Sequence, residues 1–164
     1  ALKADGAKAV IIAATHAIGL DAPGTKAVVT TLPFAKLGFA ICYDVRFPQL
    51  FREEALAGAE ILTAPAAFTK QTGEAHWHAL QRSRAIENGA YMISAAQAGV
   101  HEDGRETFGH SMIVDPWGHM MTVANGTEPE IIYADIDVSQ SAAARAKIPN
   151  LKNACAFSVE TAGV

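Results

Sequence analysis

The stretch Leu37-Gly38-Phe39-Ala40-Ile41-Cys42-Tyr43-Asp44-Val45-Arg46-Phe47-Pro48 constrains this chain more than any other. Its first five residues have the length and apolar character of a buried strand, and Pro48, whose fixed φ suits the first turn of a helix, opens the next element soon after Cys42. A strand that stops at a cysteine and turns sharply into a helix puts the thiol at the sheet edge. Backbone N–H groups of the turn then lie beside it, where they stabilise developing negative charge. The local pattern leaves two readings of Cys42 open, a small buried hydrophobe or a nucleophile.

The same reasoning orders the rest of the chain. Residues 1–6 read as a helix end, 9–14 as an apolar strand and 22–24 as a turn. Strands are expected over 28–32 and 37–42, joined as a hairpin through Pro33-Phe34-Ala35-Lys36, and a helix over 48–58. A strand over 60–65, a helix over 73–88 stopped by Gly89 and a strand over 91–97 follow. Residues 111–116 and 119–124 pair around Trp117-Gly118, 131–136 form a last strand and 138–147 a last helix. In the helix over 73–88, Trp77, Leu80, Arg84 and Glu87 share a stripe of mixed polarity, which suits an interface. The order of elements predicts an α/β fold in layers of helix on sheet, and 164 residues, half of them apolar, suit a single domain over 1–164.

Several words along the chain carry a family resemblance. They are the stretch from Leu37 to Pro48, then Gly58-Ala59-Glu60-Ile61-Leu62, Pro65-Ala66-Ala67-Phe68-Thr69 and Thr72-Gly73-Glu74-Ala75-His76-Trp77. Arg84-Ala85-Ile86-Glu87-Asn88, Ala95-Ala96-Gln97, Gly109-His110-Ser111-Met112-Ile113-Val114-Asp115-Pro116-Trp117-Gly118 and Arg145-Ala146-Lys147-Ile148-Pro149 continue the series in order. In these the chain resembles the nitrilase superfamily of carbon-nitrogen hydrolases, and within it the branch that hydrolyses small carboxylate-bearing amides such as deaminated glutathione or omega-amides.

The resemblance implies an α-β-β-α sandwich and a hydrolase in which Cys42 attacks an amide carbonyl and passes through a thioester. It implies that the Tyr43 N–H faces the oxyanion, that Arg46 meets a substrate carboxylate, and that Phe68 and Thr69 line the pocket. The residues themselves leave Arg46 open to an ion pair with Asp44 and Phe68 open to a core role. The family's general-base glutamate and oxyanion lysine precede the cysteine, yet none of the 41 residues before Cys42 is a glutamate. Lys3, Lys8, Lys26 and Lys36 lack the aromatic and basic setting of the catalytic lysine. The N-terminal part of the domain is therefore expected to be missing or altered, and a catalytically silent member or fragment that binds a small carboxylate or serves in assembly is the alternative to an active hydrolase.

No cofactor is expected. Nor is a metal, because His76 and His78 flank Trp77 on divergent helix faces and cannot chelate, and His110 adds no ligand spacing. A net charge of -4 without a cluster of Lys and Arg argues against nucleic acid as a partner. The longest apolar stretch, residues 7–14, is far below the ~20 residues that span a bilayer, so no membrane partner is expected. Cys42 and Cys155, distant and without metal spacing, favour a reducing cytoplasmic setting. The family resemblance implies a homodimer or larger homo-oligomer.

Overall fold

The structure, a computed structural model, describes residues 27–163; the elements expected over 1–6, 9–14 and 22–24 lie outside the described residues. Strands β1 (Val28–Thr31) and β2 (Lys36–Phe39) form the expected antiparallel hairpin, from Val28 opposite Phe39 to Thr31 opposite Lys36, its turn closed by the Leu32 amide on the Ala35 carbonyl. The second strand is shorter than expected. Beyond Phe39 the chain turns toward the neighbouring loop, the Ala40 amide donating to Thr63 O and the Cys42 amide to Pro65 O, and Cys42 itself takes φ +50°, which no strand accommodates. A 3-10 turn, Cys42–Arg46, leads into helix α1 (Pro48–Leu56).

Strand β3 (Ile61–Thr63) pairs parallel with β2, and β4 (Tyr91–Ser94) pairs parallel with β3. Between them one long helical element runs through α2 (Lys70–Thr72), a π-helical segment (Gly73–Trp77) and α3 (His78–Asn88), and Gly89, at φ +53°, caps it in the left-handed conformation that glycine favours. A ribbon not foreseen from the sequence, β5 (Ala98–Val100) against β6 (Glu106–Phe108), precedes the antiparallel pair β7 (Met112–Val114) and β8 (Met120–Val123). The main sheet has the order β1-β2-β3-β4-β7-β8. The layered α/β architecture is as expected.

Paired residues share a face. Val29, Leu62, Met92 and Val114 point toward α1 and α3 and form the larger core with Val45, Phe51, Trp77 and Ala85. Leu37, Ile61 and Tyr91 point the other way and meet Ile136 and Val138. Residues 131–136 are no strand. Their burial alternates as a strand's would, but they run over this second face through side-chain packing, anchored by the Tyr91 hydroxyl on the Asp137 carbonyl, without a ladder.

Half of the mixed stripe on the long helix is internal, Trp77 and Arg84 being buried while Leu80 and Glu87 stay partly exposed. Trp77 is fully buried, and the nearly buried Arg84 donates through Nε to the Val45 carbonyl at 2.9 Å and pairs with Glu87 at 2.6 Å. The charge of Arg84 is thus matched in part by a carbonyl of the 3-10 turn, inside the chain's own fold. The last helix, α4 (Ser139–Lys147), closes the end of the sheet opposite Cys42: Arg145 donates to the carbonyls of Asn88 and Ala59, and Ser141 to that of Glu60. Among the described residues no helix is long and apolar enough to cross a membrane.

Candidate active site

The site is built where the parallel strands end, the edge at which α/β sheets bind ligands. The half-buried Cys42 follows β2, and its left-handed backbone costs a non-glycine residue on the order of 1–2 kcal/mol, so the surroundings must hold it. Two sets of bonds do so. The Cys42 amide is fixed to Pro65 O at 2.8 Å, and Asp44 closes a loop on Ile41, its carboxylate accepting the Ile41 amide at 2.9 Å while its own amide donates to Ile41 O at 3.0 Å. The Tyr43 amide stands in the first turn of the 3-10 helix, where intrahelical acceptors are lacking.

Because the Asp44 carboxylate ties the elbow, it forms no ion pair with Arg46 among the described residues. The Arg46 guanidinium lies 5.1 Å from the Phe68 ring and 5.5 Å from the Tyr43 ring, and both of its terminal nitrogens approach His76 Nδ1 at 3.4 Å. Phe68 takes the core role left open for it, buried against Trp77 at 5.1 Å between rings, and its ring also lies 5.1 Å from the Arg46 guanidinium. The exposed Thr69 has its hydroxyl 2.7 Å from that of Thr72 in the first turn of α2 and its backbone bridged to Thr107.

Cys42, Tyr43, Arg46 and Phe68 thus come together at one end of the sheet. His76 joins them unforeseen, since its direction depends on the π-helical widening that no residue pattern announces. The other two histidines pack. His110 stacks on Phe108 at 4.0 Å between ring centroids and its carbonyl takes the Trp77 indole N–H, while burial and then the charge of His110 hold the His78 pKa below its usual value.

No described side chain makes a hydrogen bond to the Cys42 thiol. One buried carboxyl lies nearby on α1. Glu54 is fully enclosed, directed at the Gly38 backbone, and its pKa is pushed up to about 7 by burial, opposed by the Phe39 backbone and with a lesser further push from the charge of Asp44. A cavity of about 330 Å³ opens beside the β5–β6 ribbon, lined by residues such as Gln97, His101, His110 and Ser111 and by none of the Cys42 cluster. Among the described residues no three His, Cys, Asp or Glu side chains gather as metal ligands.

Comparison with known proteins places this geometry. A deaminated glutathione amidase of Dictyostelium discoideum is 46% identical over 126 residues, which are 77% of this chain and 43% of that protein, so the chain spans about two fifths of that relative's length. Saccharomyces cerevisiae Nit3, a member of branch 10 of the nitrilase superfamily, superposes with a TM-score of 0.73 at 38% identity over 78% of this chain and 47% of its own. A variant of the amidase from Nesterenkonia sp. AN1, solved with the acetamide moiety of fluoroacetamide added covalently at its active-site cysteine, superposes with a TM-score of 0.67 at 25% identity over 81% of this chain and 46% of its own. The carbon-nitrogen hydrolase family profile matches residues 10–146, and with the strand, elbow and helix in place the chain belongs to the carbon-nitrogen hydrolase family.

Proposed function

We propose that this protein is a cysteine-dependent hydrolase of small carboxylate-bearing amides, with Cys42 as nucleophile and Arg46 as the group that receives the substrate carboxylate. The observation that carries the reading is the left-handed elbow at Cys42 beside a guanidinium that no described carboxylate neutralises. In this reading the Cys42 thiolate attacks the amide carbon and the Tyr43 N–H takes up the oxyanion. The C–N bond breaks as nitrogen gains a proton and leaves as ammonia, and water cleaves the thioester to return the thiol. The covalent cysteine of the Nesterenkonia amidase and the name of the D. discoideum relative support it.

A thiol of ordinary pKa, ~8.5, is only a few per cent ionised at neutral pH, so the step needs a proton acceptor. None of the 41 residues before Cys42 is a glutamate, and this supports a second reading for the 164-residue chain by itself: a family member that holds a carboxylate without efficient turnover. Absence of a base costs about 10² to 10⁴ in rate, and of one oxyanion stabiliser about 10² to 10³. Ammonia release from a panel of omega-amides including deaminated glutathione, with Cys42→Ala as control, is expected to show little turnover. A rate of ~1 s⁻¹ or more that the alanine variant abolishes would establish the active reading instead. Free Cys42 and Cys155 fit a reducing cytoplasmic setting, and we take the chain as one domain that forms a homodimer or larger homo-oligomer, which light scattering checks.

A further inference from the structure

We propose that His76 is a positioning residue that sets the direction of the Arg46 fork and thereby the affinity of the site for a carboxylate. The inference rests on the reading that Arg46 receives the substrate carboxylate, and it adds the question of what aims an otherwise flexible side chain. His76 Nδ1 is equally distant, 3.4 Å, from both terminal nitrogens of Arg46, so the ring sits across the end of the fork. Both nitrogens are obligate donors, so Nδ1 must present its lone pair and the ring must carry its hydrogen on Nε2. With Phe68 and Tyr43 against the guanidinium, His76 supplies the in-plane restraint that the two aromatic rings do not.

The support beneath His76 is rigid. The π-helical segment is packed at one end by Gly73, where an added Cβ would clash with the Phe108 side chain, and at the other by the buried Trp77. A π-turn inserts an extra residue in the helix and re-aims its neighbours, which lets Trp77 enter the core while the adjacent His76 faces the 3-10 turn. Contacts of 3.4 Å to a neutral acceptor are weak, whereas a carboxylate on a guanidinium fork makes charge-assisted bonds of about 2.7–2.9 Å. The guanidinium has five N–H donors, so an incoming carboxylate can take those that His76 leaves unoccupied while the imidazole keeps the arginine in place, and preorganisation of this kind raises affinity.

The test is the affinity of the full chain for glutarate, by calorimetry, with the neutral pentanediamide as a control ligand. Arg46→Ala is expected to abolish glutarate binding. His76→Ala should weaken it about tenfold, and His76→Asn, whose amide oxygen replaces the Nδ1 acceptor, should restore most of it, with pentanediamide binding unchanged throughout. In the Arg46→Ala background His76→Ala should change nothing further. If Arg46→Ala abolishes binding while His76→Ala matches wild type, or if His76→Asn rescues nothing, the positioning role is overturned and the carboxylate reading stands. A wild-type chain that ignores glutarate overturns both.

Discussion

Glu54 is a carboxyl group in the wrong solvent. Enclosed on α1 with neither oxygen hydrogen-bonded among the described residues, it keeps its proton in the folded chain up to about pH 7, against 4.5 for an ordinary glutamate. The folded state thus prefers the protonated form. The stabilisation this gives is fully present below pH 4.5 and is lost as pH rises toward 7, by up to roughly 3 kcal/mol. The urea midpoint should therefore fall between about pH 5 and about pH 8, and Glu54→Gln, neutral throughout, should flatten that fall. A parallel fall in wild type and variant would place the titrating group elsewhere. Residues of this kind are not legible in a sequence. Cys42 and Arg46 announce themselves through neighbours in the chain, whereas what Glu54 and His76 face is decided by strands and turns distant in sequence.

At the scale of elements, periodicity reported what each segment buries and not what it pairs with. The β1–β2 hairpin, α1, the helix stopped at Gly89, the β7–β8 pair and α4 stand where local pattern and caps put them. Residues 131–136 show the limit: the alternation was real, but no strand among the described residues pairs with them in a ladder. The mixed stripe shows it again, since Arg84 is satisfied by a carbonyl 39 residues earlier that no window of sequence contains. Trp77 is consequently a core anchor. Replacing it with alanine should cost about 3–5 kcal/mol, read as a lower urea midpoint at every protein concentration. A loss of stability that appears only on dilution would instead support the interface reading for this helix.

The whole molecule has two unequal sheet faces. On the second face a single row crosses the six main-sheet strands of the described residues, Val28, Phe39, Thr63, Ile93, Ile113 and Thr122 in register, and at its β1–β2 end Val28 and Phe39 are 49% and 40% exposed. An apolar strip of this kind on a sheet attracts other apolar surface. The 164-residue chain should bind the dye ANS in its native state, and Phe39→Lys should reduce the signal without lowering the urea midpoint. Unchanged fluorescence in the variant would mean that the strip is covered. The opposite ends of the sheet differ in another way. Arg145 and Ser141 of α4 fasten one end through backbone carbonyls, independent of the side chains that Asn88, Ala59 and Glu60 carry, while Cys42, Phe68 and the β5–β6 ribbon occupy the other. Substitutions that retune what the site accepts can therefore accumulate in the loops around Cys42 with little toll on the clasp beneath, so that this half of the scaffold is free to diversify its chemistry while its foundation stays put.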